Sequence, residues 1–110
     1  TQREERYWSL NFERSAEEES RSFDDWKAIL LDGLRAAVKR RLVADVPVGA
    51  LLSGGVDSSL IVGLMAEQGV PGLRTYNVGF EDVGGEVGNE FAYADIVAQR
   101  FGTVHERIFV

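Results

Sequence analysis

The stretch Val46-Pro47-Val48-Gly49-Ala50-Leu51-Leu52-Ser53-Gly54-Gly55-Val56-Asp57-Ser58-Ser59-Leu60-Ile61-Val62-Gly63-Leu64-Met65-Ala66 decides the fold. Its first part, through Leu52, is a short apolar run, β-branched at its start and leading into two glycines, which reads as a fully buried parallel strand. Its last part, from Leu60, carries Leu, Met and Ala and stops at Gly69, the pattern of a helix with a glycine C-cap. Strand, glycine turn and helix N-terminus together aim unpaired N–H groups and the positive end of a helix dipole at one spot. Adjacent Gly54 and Gly55 let successive N–H groups converge on an anion. Ser53, Ser58 and Ser59 add hydroxyl donors. Asp57 would repel a phosphate unless a divalent cation lay between them, and magnesium held by one carboxylate and by phosphate oxygens is the expected arrangement. The loop reads as a magnesium–polyphosphate cradle.

Three other glycine-loop chemistries fail on spacing. From Gly49 a Walker A motif reaches Gly54, but Gly55 stands where its lysine belongs. The G-x-G-x-x-G dinucleotide fingerprint is absent. A nucleophile elbow needs glycines two residues either side of the serine; Leu51 precedes Ser53 at that place, and Leu60 follows Ser58.

Working outward, Trp26, Ile29, Leu30, Leu34, Ala37, Val38 and Leu42 repeat at helical spacing, so a long amphipathic helix is expected from an N-cap at Ser22. Asp24 and Asp25 in its first turn and Lys39, Arg40 and Arg41 in its last suit the dipole. Trp26 reads as a core anchor rather than a ligand-stacking ring. Gly69-Val70-Pro71-Gly72 is a turn, and Leu73–Phe80 a second strand. Glu81–Gly88 reads as an acidic, glycine-rich loop, Asn89–Phe101 as a helix capped by Asn89 and closed by Gly102, and Thr103–Val110 as a third strand. Strands alternating with helices imply right-handed crossovers and a parallel sheet covered on both faces. Residues 1–22, rich in Glu, Arg and Ser around Tyr7-Trp8-Ser9-Leu10-Asn11-Phe12, read as a solvated interdomain linker.

With 110 residues there is room for one modest domain. A net charge of −6 argues against nucleic acid or an anionic membrane as partner, since phosphate backbones need clustered Lys and Arg. The absence of cysteine excludes disulfides, a Cys-ligated zinc and a cysteine nucleophile within this stretch. No apolar run spans a membrane, and the charged start is unlike a signal peptide, so the cytoplasm is the expected location. The start at Thr1 and the end in the alternating Arg107-Ile108-Phe109-Val110 suggest one piece of a longer protein.

The residues Val48 to Ser59 closely resemble the PP-loop of the synthetase domain of glutamine-dependent asparagine synthetases. Thr75-Tyr76-Asn77-Val78-Gly79-Phe80 is similar to that family's second strand, and Ala94 to Glu106 to its next helix and strand. The resemblance implies a three-layer α/β/α ATP-pyrophosphatase fold of the adenine nucleotide alpha hydrolase type, present in part, with residues 23–110 as the N-terminal portion of the ATP-binding domain. It implies an enzyme that splits ATP between the α- and β-phosphates, adenylates a carboxylate such as that of aspartate, and lets glutamine-derived ammonia attack. Ser53, Gly54, Gly55, Asp57 and Ser58 would hold the β- and γ-phosphates, Asp57 would reach Mg²⁺, and Leu52 and Val78 would flank the adenosine. A homodimer would be in keeping with the resemblance.

The family's glutaminase cysteine and its downstream S-G-E-G-x-D-E-like motif are absent from this stretch, which is not expected to turn over alone. The Glu81–Gly88 segment is more similar to relatives that amidate other carboxylates, such as an acetylated glutamine dipeptide. Other PP-loop ligases, forming NAD, GMP or argininosuccinate, stay open, as does a nucleotide-binding module without chemistry. His105, the single histidine, reads as structural, with no carboxylate partner evident nearby in sequence. Tyr76, Tyr93 and Phe101 read as core or sheet residues.

Overall fold

The computed structural model describes residues 2–79 and 91–110. The expected loop at 81–88 and the expected cap at Asn89 lie outside them. The elements run α1 (Ala16–Glu19), α2 (Phe23–Arg41), β1 (Gly49–Leu51), α3 (Val56–Glu67), β2 (Arg74–Gly79), α4 (Phe91–Phe101) and β3 (Val104–Phe109). The strands form one parallel sheet in the order β1-β2-β3, with Gly49 beside Arg74 and Arg74 beside Val104. Parallel neighbours need crossovers, and α3 and α4 supply them; this is the α/β architecture expected of a partial domain.

α2 begins where its sequence says it should. The Ser22 hydroxyl accepts from the Asp25 N–H at 3.2 Å, and the Asp25 carboxylate accepts the Ser22 N–H at 2.8 Å. This reciprocal cap satisfies two donors that the first turn leaves without partners. Four-residue α1 is capped the same way by Ser15 and Glu18, a short helix inside the stretch read as linker. Of the expected apolar stripe on α2, Val38 is buried and Leu34 and Leu42 pack beside it, joined by Leu31, which the stripe did not include, whereas Trp26, Ile29, Leu30 and Ala37 are exposed. The packed face is rotated from the expected one, taking Leu31 rather than Leu30 and leaving Ala37 outside. At 1.5 Å per residue α2 runs about 28 Å and α3 about 18 Å, so the start of α2 also extends past its neighbour. Trp26 is therefore not a core anchor; the Arg21 guanidinium lies over its ring, 5.1 Å from the centroid. Arg35 bridges the two helices through Glu67 at 2.8 Å.

The core is Val38, Leu52, Val62, Leu64, Met65, Leu73, Ala94 and Ala98, between the helices and one face of the sheet. On β2, Thr75, Asn77 and Gly79 point into it, while Arg74 and Val78 face out. Among the described residues, the helices cover one sheet face only. The other carries Leu51, Tyr76, Val78, Val104 and Ile108, with Arg74 paired to Glu106 at 3.1 Å. β1 is accordingly not the fully buried strand that its apolar run suggests: Leu51 is 72% exposed. It is also shorter than the run. Val46 and Pro47 precede the ladder, proline having no N–H to give it, and Leu52 extends the pairing through its N–H to the Tyr76 carbonyl at 2.7 Å.

Candidate functional site

The site is built on the carboxyl end of β1. Leu52, 1% exposed, anchors the strand end in the core, and the chain then turns through Gly54 into α3. Gly54 has a φ of 87°, a conformation that L side chains rarely adopt. Space forbids a side chain there as well. A Cβ on Gly54 would lie 2.6 Å from both the Ala94 nitrogen and the Tyr93 Cβ of α4. Gly55 differs: as the N-cap of α3 it has an ordinary extended backbone, φ −69° and ψ 164°. The turn thus requires glycine at one of the pair.

No side chain caps α3. Its first N–H groups face the loop mouth, where an apolar core would leave them costly and an anion would satisfy them. Around that mouth the Ser53 and Ser58 hydroxyls lie 3.1 Å apart, and the Gly55 N–H donates to Ser53 Oγ at 3.3 Å. The Ser58 hydroxyl also donates to the Gly55 carbonyl, at 3.2 Å. Ser59 behaves differently from its sequence reading. Its hydroxyl donates to the Gly55 carbonyl at 2.7 Å, a closer bond than that of Ser58 to the same oxygen and one without the link to Ser53, so it is the more firmly engaged within the helix's own first turn. Ser53, Gly55 and Asp57 are exposed, Gly54 and Ser58 partly so. The loop therefore offers backbone donors, two hydroxyls and one carboxylate on an accessible concave turn.

Among the described residues no group of three His, Asp or Glu side chains could hold a metal ion. Asp57, in the first turn of α3, is the carboxylate of the loop. One carboxylate does not make an all-protein cage, but it fits a magnesium ion whose other ligands are phosphate oxygens and water.

Beside the loop, between the carboxyl ends of β1 and β2, lies a cavity of about 200 Å³ lined by Leu51, Leu52, Ser53, Tyr76, Asn77 and Val78. The sequence-predicted residues Leu52, Ser53 and Val78 thus share one depression, where open parallel sheets bind ligands. Val78, 40% exposed, presents side-chain surface there, whereas the Leu52 side chain belongs to the core. Sequence reasoning missed Tyr76 and Asn77 as neighbours of the site. Asn77 Nδ2 is buried without a hydrogen-bond partner among the described residues. An unpartnered buried amide is rare enough to mark a position.

Two further residues read differently in the structure. Tyr93 is 64% exposed and stands against the glycine loop rather than in the core. His105 does have a carboxylate neighbour: its Nε2 lies 3.8 Å from Asp95 Oδ1, and its Nδ1 is 2.8 Å from the Thr75 hydroxyl. His105 thus lies between α4 and β3 with a carboxylate neighbour that its sequence reading did not give it.

A family model described as asparagine synthase matches residues 30–110. The chain is 38% identical, over 94% of its length, to a Methanocaldococcus jannaschii protein provisionally named asparagine synthetase (glutamine-hydrolyzing) 2. It is 31% identical over 96% of its length to asparagine synthetase (glutamine-hydrolyzing) 3 of Bacillus subtilis. A shorter match, 41% identity over 56% of the chain, reaches the amidase chyE of Penicillium rubens. The chain spans 19%, 18% and 9% of the length of these relatives, respectively.

Proposed function

The chain belongs to the asparagine synthase family, and from that premise we propose that it supplies the pyrophosphate-gripping part of an ATP-dependent, amide-forming ligase. In this reading residues 23–110 begin the ATP-binding domain and residues 1–22 link it to a glutaminase domain outside this chain. A carboxylate oxygen of the acceptor attacks the α-phosphorus of ATP. The bond from that phosphorus to the β-bridging oxygen breaks, and pyrophosphate leaves. Ammonia then attacks the acyl-adenylate carbon, the amide forms, and AMP departs.

The loop's part is to receive the charge that gathers on the leaving pyrophosphate. Gly54 and Gly55 bring backbone N–H groups close, Ser53 and Ser58 donate hydroxyl protons, and the start of α3 adds its dipole. Asp57 would hold magnesium, which when bound would neutralise charge on the leaving phosphates. Leu52 and Val78 flank the adenosine in the depression beside the loop. The acceptor is aspartate or a similar carboxylate; relatives named amidase beside those named asparagine synthetase leave room for other acids. The enzyme works in the cytoplasm.

One observation carries the reading: an uncapped helix N-terminus faced by two hydroxyls and one carboxylate, at the end of a parallel strand. The test is carboxylate-dependent ATP–pyrophosphate exchange in the full-length protein. Exchange should appear with the right acceptor and fall at least about a hundredfold in Asp57→Ala, the scale of losing a charge-stabilising group. Unchanged exchange would remove Asp57 from the mechanism.

A further inference from the structure

The glycine loop touches a second element. The backbone of Tyr93 and Ala94, in the first turns of α4, lies so close to Gly54 that no Cβ fits between them. Ala94 and Ala98 are both buried, and their small side chains let α4 lie close to the sheet and loop. What fixes this part of α4 comes from β3. Arg107 forms an ion pair with Asp95, and its guanidinium lies 5.2 Å from the centroid of the Phe91 ring. Phe109 meets the same ring edge to face at 5.1 Å. Behind Asp95 stands His105, tied through Thr75 to Thr103 by contacts of 2.8 and 2.7 Å. Arg107 and Phe109, alternate residues of β3, thus grip two successive turns of α4 at Asp95 and Phe91, one and two residues from the contact with Gly54.

We propose that the start of α4 is the second wall of the phosphate loop, and that Asp95 and Arg107 are positioning residues that hold this wall against Gly54. The inference rests on the reading of the loop as a pyrophosphate site. Magnitudes separate positioning from simple stabilisation. The Asp95 and Arg107 side chains are 39% and 48% exposed, so their ion pair adds little to folding stability. Its orientation still sets the rotation and height of α4 over the loop. A loop that must present several donors to one anion loses much of its effect from a small displacement.

The experiment uses the full-length protein that carries this segment, with Asp95→Asn, Arg107→Gln and the charge-keeping Arg107→Lys. Two quantities are read: hydrogen–deuterium exchange of the 54–58 amides without ligand, and the Kd for magnesium pyrophosphate by calorimetry. Asp95→Asn and Arg107→Gln should speed exchange in the loop at least about threefold and raise Kd about tenfold, with β2 amides unchanged. Arg107→Lys should recover most of both. If Asp95→Asn does not fold, the two Arg107 variants carry the comparison. Loop exchange and Kd equal to wild type in Arg107→Gln, with only a lower Tm, would overturn the proposal. So would Arg107→Lys behaving like Arg107→Gln. Wild-type protein that binds no pyrophosphate would overturn the reading of the loop, while the exchange data still decide whether β3 holds it in place.

Discussion

Ser53 and Ser58, on opposite sides of the glycine turn, bring their hydroxyls to 3.1 Å, whereas Ser59, next in sequence, turns its hydroxyl back to the Gly55 carbonyl at 2.7 Å. Ser58 also reaches that carbonyl, at the longer 3.2 Å, so the three serines differ in what they share: Ser58 divides its hydroxyl between Ser53 and Gly55, and Ser59 gives its own to Gly55 at close range.

That division is testable by alanine substitution. Ser53→Ala and Ser58→Ala should each weaken magnesium pyrophosphate binding about tenfold or more, since a hydrogen bond to a charged group is worth about 1.5–3 kcal/mol. Ser59→Ala should leave the Kd within about twofold and lower stability by about 0.5–1.5 kcal/mol, the net worth of its bond to Gly55. Calorimetric titration of the three variants, beside their melting curves, would decide. Equal losses of binding in all three would contradict the geometry.

The two glycines should respond unequally. Gly54→Ala forces a side chain into a left-handed backbone, at about 1–2 kcal/mol, and drives its Cβ into the α4 backbone at 2.6 Å. A total loss of about 2–4 kcal/mol is expected, as for other strained or overpacked substitutions. Gly55→Ala has ordinary backbone angles, and its Cβ would meet nothing closer than Ser53 Oγ at 3.4 Å. Its folding stability should change by no more than about 0.5 kcal/mol. Denaturant unfolding of the two variants measures the contrast, and a tolerated Gly54→Ala would mean that α4 can withdraw.

Acid should loosen the start of α2. Hydrogen bonds from the Ser22 hydroxyl and backbone N–H hold the Asp25 carboxyl below its ordinary value of 3.8. A depressed carboxyl stabilises the folded state fully above its unfolded value and progressively less as pH falls through the folded one. Amide exchange at Asp24, Asp25 and Trp26 should therefore rise, relative to the rest of α2, as pH drops below 3.8. Asp25→Asn should flatten that local dependence; the same rise in the variant would assign it elsewhere.

Much of this was legible in the chain because the forces involved are local. Ser22 and Asp25 are three residues apart, so the cap follows from the helix that it starts. The loop between β1 and α3 is likewise a matter of neighbours. What could not be read depends on distant residues. Tyr93 and Ala94 lie some forty positions from Gly54, and nothing in either stretch announces that they meet. The partnership of Asp95 with Arg107 and His105 depends on the α4–β3 turn setting the facing sides of the two elements. Leu51 misled for the opposite reason. Its apolar run signals two covered faces, and among the described residues one is open.

The contact between Gly54 and Ala94 also has a consequence over evolutionary time. Ala94 is fully buried, and its backbone nitrogen occupies the space that a Gly54 side chain would need. The obstacle is main chain, so no choice of side chain at 94 removes it, and the left-handed backbone at 54 would still ask for glycine if α4 drew back. Across divergent sequences position 54 should therefore stay glycine while residue 94 varies only among small side chains that fit its buried place.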